Sequence, residues 1–193
     1  LKDKARVYPV RLDPTVTTKL YDSTKVYDSY VFSTQQTGTN LKGGSSHFIV
    51  GKRSSQLTMR GFIRFELPTK IGKNDTVVDA RLHLVQNHGY QSDSGFKIEM
   101  LELAEGFDEA TVSWPTQPEP IEKVIDYAIV GTGNTITYNN GGSTYYTQPY
   151  DTFNVTGLVS KWHSGATNNG VMLRLHNESQ TISSDKEVYY FSK

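Results

Sequence analysis

Apolar and polar residues alternate along most of this chain, in short runs. Residues 60–68 show the pattern most clearly. Ile63, Phe65 and Leu67 fall on one side, and Arg60, Phe62, Arg64 and Glu66 on the other, because successive side chains of a strand point to opposite faces. Residues 79–85 repeat the split, with Ala80, Leu82 and Leu84 against Arg81, His83 and Val85. Residues 170–176 do so again, with Val171, Leu173 and Leu175 against Met172, Arg174 and His176. Further strand-like runs lie at 26–32, 47–51, 96–103, 135–138 and 151–155, separated by polar turns such as 33–46 with its Gly43-Gly44 pair. One segment changes period. Residues 155–163 place Leu158, Val159 and Trp162 together, which predicts a turn or two of helix against a core. About eight short strands with one helical connection predict an all-β fold, an antiparallel β-sandwich and most simply a jelly roll. The sandwich is expected over 21–193, behind an extended N-terminal arm, residues 1–20, whose Tyr8-Pro9 and Asp13-Pro14 pairs disfavour helix.

Composition narrows the function classes. Twenty basic residues balance twenty acidic ones, and the isoelectric point is near 7.1. That argues against an electrostatic nucleic-acid binder, whose footprint is usually a pI above about 9. Mean hydropathy is −0.51, and no apolar run approaches the roughly 18 residues of a membrane span. With no cysteine in 193 residues, disulfides, thiolate metal sites and cysteine nucleophiles are excluded. A secreted protein without disulfides points to a bacterial surface. The start carries neither methionine nor a signal-peptide pattern, so the expectation is a segment of a larger polypeptide.

The polar faces supply the first candidate site. If the three arginine-bearing strands share a sheet, Arg60, Arg64, Arg81, His83, Arg174 and His176 form a basic platform with an aromatic at Phe62. Guanidinium forks pair with carboxylate or phosphate, which suits an anionic glycan. The plainer alternative is a solvated face whose arginines pair with Glu66, Glu99 or Glu102, contributing about 0–1 kcal/mol per pair and needing no function. Tyr145 and Tyr146 lie with Tyr150 in the polar, glycine-bearing stretch 139–150, where an exposed ring could stack on a sugar. Trp114 and Trp162 could do the same, but large aromatics in such positions are mostly packing residues.

Metal and catalytic chemistry are weakly signalled. Asp22, Asp28, Asp75, Asp79, Asp93, Asp108 and Asp151 lie in or near turns, where Asp is favoured for local reasons. No EF-hand spacing accompanies them, so the expectation is no metal ligand and no cofactor, with structural calcium left open. The five histidines form no H-E-x-x-H pattern. Glycoside hydrolysis needs two converging carboxylates, and the adjacent Asp108 and Glu109 would point apart on a strand. No G-x-S-x-G elbow, phosphate-cradling loop or dinucleotide fingerprint is present. A lyase using His83 with arginines is the one catalytic idea the basic face permits, and the expectation is that the chain is not an enzyme.

Several motifs taken together carry a resemblance. Arg60-Gly-Phe-Ile-Arg-Phe-Glu-Leu-Pro68 with Val78-Asp-Ala-Arg-Leu-His-Leu84, then Phe107-Asp-Glu-Ala-Thr-Val-Ser-Trp-Pro115 with Gln117-Pro118, resemble the DNRLRE-type domains of bacterial surface and secreted proteins. Phe153-Asn-Val-Thr-Gly-Leu-Val-Ser-Lys-Trp162 and Asn168-Asn-Gly-Val-Met-Leu173 resemble that family's closing motifs. The opening Tyr8-Pro-Val-Arg-Leu-Asp-Pro-Thr15 is similar to the run before such domains in wall-associated Rhs-type repeat proteins. Two departures stand out. Tyr150-Asp-Thr-Phe-Asn154 replaces a tryptophan-rich strand, and the sequence stops at Phe191-Ser-Lys193 where the family runs into a last strand. The resemblance implies a non-catalytic carbohydrate-binding jelly roll that targets a larger secreted protein to cell-wall or other polysaccharide. A structural spacer or cap that binds no glycan remains the alternative.

Overall fold

The computed structural model describes residues 25–34, 46–68, 71–72, 74–87, 94–131, 134–139 and 145–192. The expected arm at 1–20, Asp22, Asp93 and residues 35–45 of the polar loop lie outside the described residues. Among the described residues ten strands and one α-helix follow in order: β1 (Val26–Phe32), β2 (His47–Lys52), β3 (Thr58–Phe65), β4 (Arg81–Val85), β5 (Lys97–Leu103), β6 (Pro120–Ile129), β7 (Thr135–Asn139), β8 (Tyr145–Asn154), α1 (Thr156–His163), β9 (Val171–Leu175) and β10 (Lys186–Phe191). The result is the antiparallel β-sandwich with one helical turn that the alternation predicts.

The larger sheet runs β10-β2-β3-β9-β5-β6, with β1 also paired to β3, and the smaller runs β4-β8-β7. The larger sheet folds over at the β2–β3 hairpin. There β2 pairs with β3 at only two positions, Gly51↔Met59 and Lys52↔Thr58, and then passes over the inner face of β3. Gly61 permits the crossing, since a Cβ there would meet Val50 Cγ2 at 2.8 Å and the Phe48 ring at 3.0 Å. On the far side β10 pairs with β2, and a Gln86↔Tyr190 bridge joins it to the end of β4. The two layers therefore close on one another.

Between them lies the main core. Ile63, Leu84, Val171, Leu173 and Leu175 are buried there with Phe48, Val50, Phe153 and Tyr190, and Phe65 and Leu82 pack against them. These are the apolar faces read from β3, β4 and β9. The helix adds Leu158, Val159 and Trp162 to the same core. It starts where Asn154 Oδ1 accepts the backbone N–H of Thr156 at 3.1 Å and its hydroxyl at 2.7 Å, and Lys161 and His163 suit the negative end of its dipole.

Two strands escape the sequence pattern. In β6 the charged Glu122, Lys123 and Asp126 interrupt alternation, and its pairing with β5 contains register shifts near Leu101. In β10 Val188, Tyr189 and Tyr190 are all buried, so no polar face marks the strand. The stretch holding Tyr145 and Tyr146 is likewise part of β8, paired with β7, and not a loop.

Candidate functional site

Registers decide which polar residues share a surface. Strands β3 and β9 are neighbours, with Phe62 opposite Met172, and β9 pairs with β5, with Glu99 opposite Arg174. Arg60, Arg64, Arg174 and His176 thus belong to the outer surface of the larger sheet. Arg81 and His83 belong to β4 in the smaller sheet. The single basic platform expected from the sequence does not form, because β4 pairs with β8 rather than with β3 or β9.

One half of the outer surface is covered. The connection 104–119 lays Phe107, Val112 and Trp114 over Val31, Phe62, Leu103 and Met172, making a second small core. Phe62 is fully buried there, its ring 5.6 Å from that of Phe107. It is a packing residue and offers no face to a sugar. Arg60 fastens the connection down. Its guanidinium lies 4.7 Å over the Trp114 ring and donates to Gln117 Oε1 at 3.1 Å. It also donates from Nε to Glu178 Oε2 at 3.2 Å and pairs a second time with Glu178 through Nη2. Asp108 and Glu109 are occupied as well. Asp108 accepts the N–H of Ala110 at 2.8 Å, closing its own turn, and Glu109 accepts the N–H of Asp28 at 3.0 Å.

Arg64 differs from Arg60. Its guanidinium lies 4.4 Å over the Tyr27 ring, and among the described residues no carboxylate reaches it. It borders an open groove of about 310 Å³ lined also by Tyr27, Glu66, Leu67, Trp162 and Asn168. Asn168 is held in place, donating to Phe65 O at 2.7 Å and accepting from Gly170 N at 3.1 Å. Trp162 is 4 % exposed and is a core residue that closes the floor of this groove.

Toward β6 the outer surface is open. Arg174 donates to Glu99 at 2.6 Å and to Glu122 at 3.3 and 3.1 Å. Its burial opposes the charge, but the hydrogen bonds to Glu122 and Glu99 outweigh it and raise the guanidinium pKa. The bond to Arg174 holds the Glu122 carboxyl below the usual range. His176 Nδ1 lies 3.0 Å from the other Glu99 oxygen. Arg60 and Arg174 are therefore neutralised inside the protein, which removes them as free anion-binding forks. Beside them Lys97 Nζ sits 4.4 Å over Tyr127, whose side chain belongs to a residue 52 % exposed. Sequence reasoning missed both. The alternation of 96–103 places Lys97 on the Glu99 side, but Tyr127 sits in the unrecognised β6.

On the smaller sheet Arg81 pairs with Asp79 at 2.9 Å. His83 Nδ1 lies 2.9 Å from Thr152 Oγ1, and its ring meets Tyr150 edge-to-face at 5.1 Å. Tyr145 and Tyr146 extend β8 beyond this pair, opposite Asn139 and Tyr138, and their side chains lie outside the described residues. Three further aspartates are engaged within the fold: Asp75 with Gly72 N, Asp151 with Tyr190 and Asp28 with Ser192. Among the described residues no group of three or more His, Asp or Glu is placed to hold a metal ion, and no helix is long and apolar enough to cross a membrane.

Known proteins resemble this chain in part. The tRNA nuclease WapA of Bacillus subtilis strain 168 is 28 % identical over 178 residues, and the tRNA3(Ser)-specific nuclease WapA of Bacillus spizizenii is 27 % identical over 183. In both the match covers 90 % of this chain and 7 % of the relative. The family model for carbohydrate-binding module family 96 matches residues 19–192, nearly the whole sandwich, and the chain belongs to that family.

Proposed function

We propose that this domain is a non-catalytic module that holds a larger secreted or wall-associated bacterial protein on an anionic polysaccharide. Its principal contact is Arg64. The observation that carries the reading is the state of that side chain: stacked on Tyr27, free of carboxylates among the described residues, at the mouth of a groove. A guanidinium resting over an aromatic ring still has N–H donors to offer and loses less freedom on binding a carboxylate or phosphate. Glu66 and Asn168 on the groove wall can meet sugar hydroxyls, and Leu67 and Tyr27 supply apolar surface for the C–H face of a ring. Among the other sequence candidates, His83 with Tyr150 on the smaller sheet is the better placed for a secondary contact, and Tyr145 and Tyr146 extend that strand.

The pairing of Arg60 and Arg174 with glutamates favours the competing reading, a spacer that binds no glycan. Retention of the purified domain on insoluble cell walls and on immobilised alginate, pectin and chitin separates the two. Binding to an anionic matrix that weakens with salt and falls at least about tenfold in Arg64→Ala, with folding unchanged, supports the module. No retention on any matrix supports the spacer. Retention insensitive to Arg64→Ala places the site elsewhere.

A further inference from the structure

A second cationic site lies at the other end of the larger sheet, away from the Arg64 groove. Lys97 at the start of β5, His176 and Asn177 just after β9, Gln180 in the following turn and Lys186 at the start of β10 line a cavity of about 190 Å³ whose apolar wall includes Leu175. No carboxylate among the described residues lines it. Among the described residues neither Lys97 nor Lys186 is paired with an acid, in contrast to Arg60, Arg81 and Arg174. The acid in contact with this cluster, Glu99, is bonded by both Arg174 and His176. His176 gives its Nδ1–H to Glu99, so its ring forms a fixed wall of the cavity and the anion's donors are the two ammonium groups and the amides.

The backbone that carries these donors is also held in place. Lys97 rests on the Tyr127 ring, and its backbone carbonyl accepts the N–H of His176 at 3.0 Å, joining two walls. Asn177 takes a left-handed conformation, φ 56°, and its carbonyl accepts the Gln180 N–H at 2.9 Å, closing the turn that carries both amides. The carbonyl of Gln180 is in turn fixed by the buried Lys52 ammonium at 2.8 Å.

We propose that this cavity binds the phosphate group of a phosphate ester. Two ammonium groups from separate strands match a doubly charged, tetrahedral anion. A planar carboxylate is better served by a guanidinium fork, and this cavity has none. The Arg64 groove and this site would then grip different parts of one polymer. The proposal rests on the polysaccharide-binding reading only for the molecule that carries the phosphate, and the site is testable alone.

The test is a backbone-amide NMR titration of the whole domain with inorganic phosphate at low ionic strength, then with glycerol 1-phosphate, and with acetate as the carboxylate comparison. Saturable shifts at millimolar phosphate around Lys97, His176, Asn177 and Lys186 are expected. They should weaken at least about tenfold in Lys97→Ala/Lys186→Ala and persist in Arg64→Ala. Absence of saturation, equal binding of acetate, or an unchanged response in a folded double variant would overturn the proposal; if that variant proves unstable, the single change Lys186→Gln decides. Phosphate binding by a domain that no polysaccharide retains would leave this site standing and defeat the earlier reading. The reverse result would do the opposite.

Discussion

The Arg60 guanidinium lies over the Trp114 indole, 4.7 Å from the ring centre, while its nitrogens hold Glu178 and Gln117. Strand β3, the 3-10 turn Trp114–Thr116 and the turn after β9 meet at this one side chain. Arg60→Ala removes the stack and leaves a half-buried glutamate unpaired, so a loss of about 2 kcal/mol is expected. For a domain of this size that lowers Tm by roughly 4–8 °C. Lysine at this position should restore only part of the loss, since it cannot span a stack and a bidentate pair. Thermal melts of both variants check this, and an unchanged Tm in the alanine variant refutes it.

Glycine positions in the fold-over make a sharper prediction. At Gly51, with φ 140°, a Cβ would lie 2.0 Å from the Lys186 carbonyl oxygen. The obstruction is backbone on the partner strand, so no side-chain motion relieves it. At Gly61 the obstruction is side chain, Val50 and Phe48, which can shift at a cost. Gly61→Ala should lose about 1–3 kcal/mol by overpacking, and Gly51→Ala should lose more or fail to fold. Urea denaturation ranks the two; a Gly51→Ala domain more stable than Gly61→Ala contradicts the account.

Strand faces were legible where both were present in the local pattern. Ile63, Leu84 and Leu173 lie inward as their alternation requires. Which strands neighbour one another was not legible, because register comes from long-range pairing and turn geometry. That is why Arg81 was grouped with Arg64 although they belong to different sheets. Phe62 failed for a related reason. Its burial comes from Phe107 and Val112, more than forty positions along the chain, and nothing within β3 announces a second layer. Arg64 and Arg60 are likewise indistinguishable by local pattern. Only the fold shows that Glu178 reaches one of them and that Tyr27 supports the other.

The seam between the sheets contains an ionisable group with a pH consequence. Asp151 is buried and bonded to the Tyr190 hydroxyl. Burial raises its pKa above its ordinary value of 3.8, against the opposing hydrogen bonds from Tyr190 and Gln86. The folded protein therefore holds this proton more tightly than the unfolded chain does. The contribution is fully present below the unfolded pKa and is lost as pH rises through the shifted value. Asp151→Asn cannot titrate and keeps an oxygen for Tyr190, and Gln86, which donates to the carboxylate, can turn its amide so that the unpartnered Oε1 accepts from the new NH₂. Its stability relative to wild type should improve as pH rises above about 4, the ordinary carboxylate value, and level off once the folded carboxyl has ionised. Melts across that range test it, and a parallel pair of curves would show that Asp151 does not titrate differently on folding.

Arg64 and Arg174 should separate function from stability. Arg174→Ala leaves Glu99, a residue 5 % exposed, with His176 alone and withdraws the guanidinium that balances it, so a loss of about 2–4 kcal/mol is expected. Arg64→Ala removes a cation resting over the half-buried Tyr27 ring, worth about 0.5–1 kcal/mol. On an anionic matrix the order should reverse, with Arg64→Ala losing retention and Arg174→Ala, assayed below its lowered Tm, keeping most of it. Guanidinium anchors are costly to remove from a binding site even where they add little to the fold, because the ligand's anion is then desolvated without a partner. Paired melting and retention measurements on the two variants decide the matter. If Arg174→Ala loses retention while remaining folded, the glutamate-bound arginine still contacts the ligand, and the division between structural and binding arginines is wrong.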